Sequence, residues 1–503
     1  MKRLVFAGAV ALIITTCTGS ESTTTSQVPP DASEPTSTTS PATTTTPANG
    51  APPTTTSSGQ TPPFGMGDEL FPRLGNQGYD AEHYTIELSF DPTSRNLEAS
   101  VTLNAVATVD LQAFTLDFAG FDISSLTLDG TAARFTRPGG DKLEVTANAA
   151  IPAGEEFSVS IDYSGTPGPA ASDAWLENIG WLSIRGDEFV IAQPDAAHSW
   201  FPCNDHPLDK ATFTYRLTVP DGVTAAATGT LVDENSSAGA TTWVWEMTSP
   251  MVTYLATVVI GDFAVVEDLD ATTDAGIRIR NVLPPDVAAN PPEVLERQGE
   301  MIGYFEELFG PYPFDVYGIA VVNGLPAALE NQTLSIVGRP VLEAENGSIL
   351  EDFLVHELAH QWFGDDVSLA AWSDMWLNEG FATYAEWLWI ERELGRDVME
   401  LMIEQERAAW VEGATIAPGV PGTNQIFAGE VYRIGGLTLH ALRLTVGDEA
   451  FFETMRTYVA RYGGGNATTA DFVAVAEEIS GQDLTNLFEA WLFEPDVPAF
   501  PAG

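Results

Sequence analysis

The sequence predicts an α+β protein, with an antiparallel, sandwich-like β domain first and a mostly helical domain after it. Two observations place the β domain. Period-two alternation runs through residues 84–90 and 213–219, and turn pairs such as Asp129-Gly130, Gly139-Gly140 and Asp221-Gly222 punctuate the stretch 64–263. The third observation is a change of pattern near Val266, after which long helical segments dominate. With 503 residues, 44% of them hydrophobic, the chain is long enough for two or three domains with real cores.

Taken in order, residues 1–16 read as a signal segment. Lys2 and Arg3 precede an apolar run over 4–14 that is too short to span a bilayer as a mature helix. Cys17 stands where a lipoprotein signal places its acylated cysteine, although Thr16 departs from the usual small residue before it. A lipidated Cys17 implies an extracellular or cell-surface protein whose membrane contact is the lipid anchor; the alternative is a cleaved, freely secreted chain. Residues 17–63 are Thr, Ser, Pro, Gly and Ala with almost no large apolar side chain, so they cannot offset their ordering entropy by burial and read as a disordered stalk. The β-rich domain is expected over 64–265 and the second domain over 266–503. Within the latter the pattern predicts a helix over 292–309, ended by Gly310-Pro311, and a strand over 317–322. Helices follow at 349–364, 376–394, 397–410, 432–446, 448–462, 469–479 and 484–493, with Thr468 to Asp471 offering N-cap residues.

Charge excludes whole classes of partner. The chain has 21 Lys and Arg against 71 Asp and Glu, a formal net charge of −50. Nucleic acid and anionic membrane surfaces reward the opposite sign. The two cysteines, Cys17 and Cys203, rule out a disulfide framework and leave Cys203 as a free, buried thiol. No later apolar run is long enough for a transmembrane helix.

The chemistry concentrates in His356-Glu357-Leu358-Ala359-His360. On a helix, residues four apart share a face, so both imidazoles can reach one metal ion with Glu357 beside them. Two helix-surface histidines are the plainer alternative, but only six histidines exist in the chain. A hydrolytic zinc site needs a third protein ligand and an open position. Glu379 supplies the ligand from a second helix start, in Trp376-Leu377-Asn378-Glu379-Gly380-Phe381-Ala382. An acid there would also suit the helix dipole without any metal.

With these residues the chain resembles the gluzincin zinc aminopeptidases of the aminopeptidase N type. The likeness extends over about residues 78–500 and includes Phe201-Pro202-Cys203-Asn204-Asp205-His206-Pro207 with Lys210-Ala211-Thr212-Phe213. The resemblance implies a saddle-like N-terminal β domain and a thermolysin-like catalytic domain, in a compact form without a further C-terminal helical domain. It implies one Zn²⁺ per chain on His356, His360 and Glu379, with Glu357 as general base. Ala327-Ala328-Leu329-Glu330-Asn331 resembles the family's exopeptidase signature, departing from it at Ala327 and Leu329. Glu330 would bind the substrate's α-ammonium, with Asn331, Ala327 and Ala328 beside it and Gln193 assisting. Val431-Tyr432-Arg433-Ile434-Gly435 resembles the segment that carries the transition-state tyrosine, here Tyr432, with Arg433 and Ile434 departing. The implied activity is release of single N-terminal amino acids from peptides with a free N-terminus. A catalytically silent peptide-binding lipoprotein and a zinc endopeptidase on the same fold are the alternatives. His198, His206 and His440 lack metal spacing, and Asp205 and Lys210 suit a brace between domains.

Overall fold

Along Tyr79–Asp91, buried Tyr84, Ile86, Leu88 and Phe90 alternate with the more exposed Thr85, Glu87 and Ser89, which gives the strand one dry face and one wet face. The structure, a computed structural model, describes residues 64–174, 179–268, 276–344 and 347–501. The expected signal segment, Cys17 and the stalk lie outside the described residues. Tyr79–Asp91 sits inside an eight-stranded sheet. Its order runs from Thr230–Ser237 through Ala240–Val252, Lys210–Pro220, Tyr79–Asp91, Asn96–Ala107, Glu156–Gly165 and Asp122–Leu128 to Thr131–Ala132. The pairing is antiparallel except between Tyr79–Asp91 and Lys210–Pro220, which run parallel with His83 opposite Thr212 and Ser89 opposite Thr218. Alternation reports which face a residue takes and not the direction of its neighbour, so the all-antiparallel expectation fails at this one pair.

A five-stranded sheet orders Thr224–Ala227, Val258–Gly261, Asp187–Ile191, Ile179–Ile184 and Pro169–Ala170, and Gln193 lies two residues beyond its central strand. A third sheet begins at Ala264–Asp268, across the expected boundary at 265. It continues through Arg278–Leu283, Ile319–Val322 and Ser335–Gly338 to the edge strand Ala328–Leu329, with Val316–Tyr317 also paired to Arg278–Leu283. The edge strand delivers Glu330.

Helices α1 (Gln298–Phe309), α2 (Gly347–Ala359), α3 (Trp376–Leu394), α4 (Arg396–Val411), α5 (Gly429–Val446), α6 (Asp448–Tyr462) and α7 (Thr469–Ser480) follow. Helix α7 opens with a reciprocal cap. The Asp471 N–H donates to the Thr468 hydroxyl at 3.2 Å, and the Thr468 N–H donates to the Asp471 carboxylate at 2.9 Å. Two expected helices are shorter. Residues 293–297 form a 3₁₀ turn before α1, and α2 ends at Ala359 rather than at 364. No helix among the described residues is long and apolar enough to cross a membrane. Cys203 is free and buried, and burial pushes its thiol well up.

Helices α3 and α5 touch backbone to backbone. A Cβ built on Gly380 would lie 2.8 Å from the carbonyl carbon of Gly435, and one built on Gly435 would lie 2.9 Å from the Cα of Gly380. No side chain larger than hydrogen fits at that crossing, and the close approach brings Tyr432, one turn before Gly435, beside Glu379, the neighbour of Gly380.

Candidate metal centre and active site

His356 lies in the last turn of α2. His360 follows the final helical residue, and its N–H still donates to the His356 carbonyl at 3.3 Å, so the two rings stay on one face with centroids 4.8 Å apart. The α3 helix supplies Glu379 in its first turn. One oxygen of Glu379, Oε2, lies 3.2 Å from His356 Nε2 and 3.4 Å from His360 Nε2. The ligand atoms of the three residues lie within 4.8 Å of one another, and all three residues are buried.

The outer nitrogens are occupied. His356 Nδ1 is 2.8 Å from Glu386 Oε1, and His360 Nδ1 is 3.1 Å from the Phe363 carbonyl oxygen. A carbonyl only accepts, so His360 carries a proton on Nδ1, which leaves Nε2 as the nitrogen available to a metal; the Glu386 carboxylate does the same for His356. Glu330, Glu357 and His360 form a second set within 4.8 Å. Three buried carboxylates, Glu330, Glu357 and Glu379, thus face two imidazoles. Among the described residues no arginine or lysine forms an ion pair with any of the three. Such a donor set, two nitrogens and one carboxylate with negative charge in excess, fits a divalent zinc ion with a position left open. Burial pushes the Glu357 carboxyl up to about 8, while His356 and His360 pull it down. Burial also raises Glu330, against the pull of His360 and with the push of Glu379. A cation brought into the site lowers both.

The Tyr432 ring lies nearly parallel to that of His356, with centroids 6.0 Å apart. Burial and the carboxylates of Glu379, Glu330 and Glu357 hold its hydroxyl well above 10, so it is a donor throughout the neutral range. Glu330 receives a hydrogen bond from Gln193 Nε2 at 2.6 Å on Oε1, which joins the five-stranded sheet to the metal site. Asn331 Nδ2 donates to the Leu255 carbonyl at 2.9 Å and braces the same loop, while its Oδ1 has no protein partner. Ala328 pairs with Val337 in the edge strand, and the Ala327 carbonyl accepts from the Gly338 N–H at 2.9 Å. Lys210 Nζ donates to the carbonyls of Asp365 and Asp366 at 2.9 and 2.8 Å, bracing the turn beyond α2. Asp205 holds His198 Nδ1 at 2.7 Å and accepts from Thr253 at 2.8 Å.

Two residues of the site escape the sequence reading. Glu386 sits seven residues after Glu379 on α3, two helical turns along the same face, and that spacing was the available signal. Arg433, noted there only as a departure, places Nη1 3.3 Å from the other oxygen of Glu386 and so backs the carboxylate that orients His356.

The Peptidase M1 N-terminal domain matches residues 80–255 and the Peptidase family M1 domain matches residues 293–491. Among curated relatives, Aminopeptidase M1-A of Oryza sativa subsp. japonica is 28% identical over 72% of this chain and 43% of its own length. Aminopeptidase N of Streptomyces lividans is 29% identical over 59% of this chain and 37% of its own. The chain therefore spans about two fifths of the length of these relatives. The crystal structure of an M1 zinc metallopeptidase from Deinococcus radiodurans is 31% identical, with a TM-score of 0.79 over 87% of this chain and 99% of that one. A mutant of that metallopeptidase bound to a Tyr-Ser-Ala substrate has the same TM-score at 30% identity and is covered over its full length. Both halves of the fold and the set His356, Glu357, His360 and Glu379 thus sit in a chain that matches this metallopeptidase over 87% of its own length and 99% of the other's, and the protein belongs to peptidase family M1.

Proposed function

We propose that the protein is a zinc aminopeptidase that releases single N-terminal residues from peptides. One observation carries the exopeptidase reading: the buried Glu330 carboxylate is oriented by Gln193 at 2.6 Å, lies in one cluster with Glu357 and His360, and among the described residues has no lysine or arginine paired to it. Its natural partner is a cation brought by the substrate, and an α-ammonium is the one every free peptide carries. An endopeptidase has no use for that carboxylate, and a silent binding protein has no need of Glu357.

His356, His360 and Glu379 would hold the zinc, which when bound would supply Lewis acidity toward a peptide carbonyl and make water acidic enough to react near neutral pH. Glu330 and Gln193 anchor the peptide's amino end. Glu357 accepts the proton of the attacking water and returns it to the leaving amine. Tyr432 donates a hydrogen bond to the oxygen on which negative charge develops. The test compares free and N-acetylated forms of one peptide. Wild type should cleave the free form far faster, and Glu330→Ala should lower kcat/KM on it by about ten- to a hundredfold with zinc content unchanged. Equal rates on capped and free peptides would defeat the aminopeptidase reading and leave a zinc hydrolase.

Export and anchoring belong to the same proposal. The basic start at Lys2-Arg3, the apolar run over 4–14 and Cys17 support a lipoprotein held at the outer cell surface. Cys17→Ser should abolish incorporation of a labelled fatty acid and release the protein into the medium; unchanged membrane retention would overturn it.

A further inference from the structure

Glu330 lies on a loop and the metal ligands lie on helices, so some element must fix the distance between the amine-binding carboxylate and the metal. Gln361, the residue after His360, spans that gap. Its side chain is fully buried. Its Nε2 donates to the backbone carbonyl of Glu330 at 3.1 Å. Its Oε1 accepts from the Thr333 N–H at 2.8 Å and from the Tyr312 hydroxyl at 3.4 Å. One amide therefore grips both ends of the turn 330–333.

Thr333 shows how firmly that turn is held. Its φ of 68° lies in the left-handed region, which a β-branched residue rarely adopts. Such a conformation persists only where the surroundings over-determine it. Here the Thr333 carbonyl accepts from Arg280 Nη2 at 3.1 Å, and its hydroxyl accepts from the Gly229 N–H at 2.8 Å. With the Gln361 contact, the N–H, the carbonyl and the side chain of Thr333 are all engaged. Asn331 adds the bond to Leu255.

We propose that Gln361 is a positioning residue that sets the register between the peptide's amino end and the metal, by tying the Glu330 turn to the end of the metal-binding helix. The proposal rests on the aminopeptidase reading above. Gln361 touches no metal ligand's side chain through these bonds and acts through Glu330. Freed of the amide, the turn drifts, the bound ammonium moves with Glu330, and the first peptide bond leaves its reacting position. A misplacement of about 1 Å can cost ~10²-fold in rate. Peptides that do not engage Glu330 lose nothing.

The test is a double-mutant comparison on a free tripeptide, with bound zinc measured in every variant. Gln361→Met keeps the volume and removes the amide. It should lower kcat/KM by roughly tenfold or more in the wild-type background and by less than about twofold in the Glu330→Ala background, with one zinc per chain retained throughout. A loss of the same size in both backgrounds, or loss of zinc, would assign Gln361 to the metal or the fold and overturn the proposal. So would the absence of any loss in the wild-type background. Gln361→Asn keeps the polar atoms but is one methylene too short to grip both ends of the turn. It carries the same criterion if the methionine variant does not fold. Failure of the aminopeptidase reading itself would be seen separately, in wild type cleaving capped peptides as fast as free ones.

Discussion

On the proposed mechanism Glu357 and Tyr432 act on different atoms of the reacting group, and changes of a single functional group separate them. Glu357→Gln keeps the shape and the zinc but cannot accept the water's proton, so kcat should fall by roughly 10²–10⁴ with metal content unchanged. Tyr432→Phe removes one hydroxyl that burial and three carboxylates keep protonated, and kcat should fall by roughly 10²–10³ with KM little changed. An unaltered kcat in the phenylalanine variant would make the stacked ring a packing residue of His356. Behind the ligands, Glu386 holds His356 Nδ1 at 2.8 Å and is itself backed by Arg433 at 3.3 Å. Glu386→Ala should weaken zinc binding by about ten- to a hundredfold, measured by competition with a chelator. An unchanged affinity would show that packing alone orients the ring. The clustering of His356, Glu357, His360 and Glu379 was legible in the sequence because metal chemistry requires fixed residue types at helical spacing. Glu386 and Arg433 were not, because a residue that orients a ligand can be any acid or base within reach, and only the fold says which one is within reach.

Helices α3 and α5 meet at Gly380 and Gly435, and the position of Tyr432 over His356 depends on that contact. Gly435→Ala places a methyl carbon 2.9 Å from the Cα of Gly380, where the obstacle is backbone and no side chain can swing away. The helices must part, at a cost of about 1–3 kcal/mol in stability, and Tyr432 moves with its helix. The expected outcome is a lower Tm together with a loss of kcat larger than the unfolded fraction explains. A stability loss with kcat intact would show that Tyr432 tolerates a displaced helix. At this scale the long helices were readable. The interval 376–394 matches α3 and 448–462 matches α6, since apolar periodicity and a terminal glycine mark both ends. The third sheet was largely unread. Arg278–Leu283 and Ser335–Gly338 are short and buried almost throughout, so they lack alternation, and a short apolar run does not distinguish strand from helix. Those strands nevertheless deliver Glu330 to the site, which is why its motif was visible and its platform was not.

Across the whole molecule, the excess of acid has a consequence that the placement of the cations sharpens. The count of 21 basic against 71 acidic residues was available from the sequence, but the whereabouts of the basic groups were not. Lys142 is buried, donating to the Gly75 carbonyl and Asn76 and paired with Asp117. Lys210 is committed to the carbonyls of Asp365 and Asp366. Arg280 is buried on the carbonyls of Ala227 and Thr333, and Arg443 is buried against Glu391 and Asp448. These four cations go to the interior and to braces between segments, other arginines pair with acids at the surface, and with 71 acids to 21 cations most acids have no cation to pair with. Repulsion among exposed like charges opposes the compact state and is screened by salt, whereas buried pairs are screened much less. Raising NaCl from roughly 0.02 M to about 1 M shortens the screening length to about 3 Å and should raise the Tm by several degrees. The exposed pairs that salt weakens, such as Arg73 with Asp141 and Arg461 with Glu478, are each worth ~0–1 kcal/mol and cannot reverse the sign against a net charge of −50. A Tm that falls with NaCl would mean that the surface ion pairs outweigh the repulsion of the acids they leave unpaired.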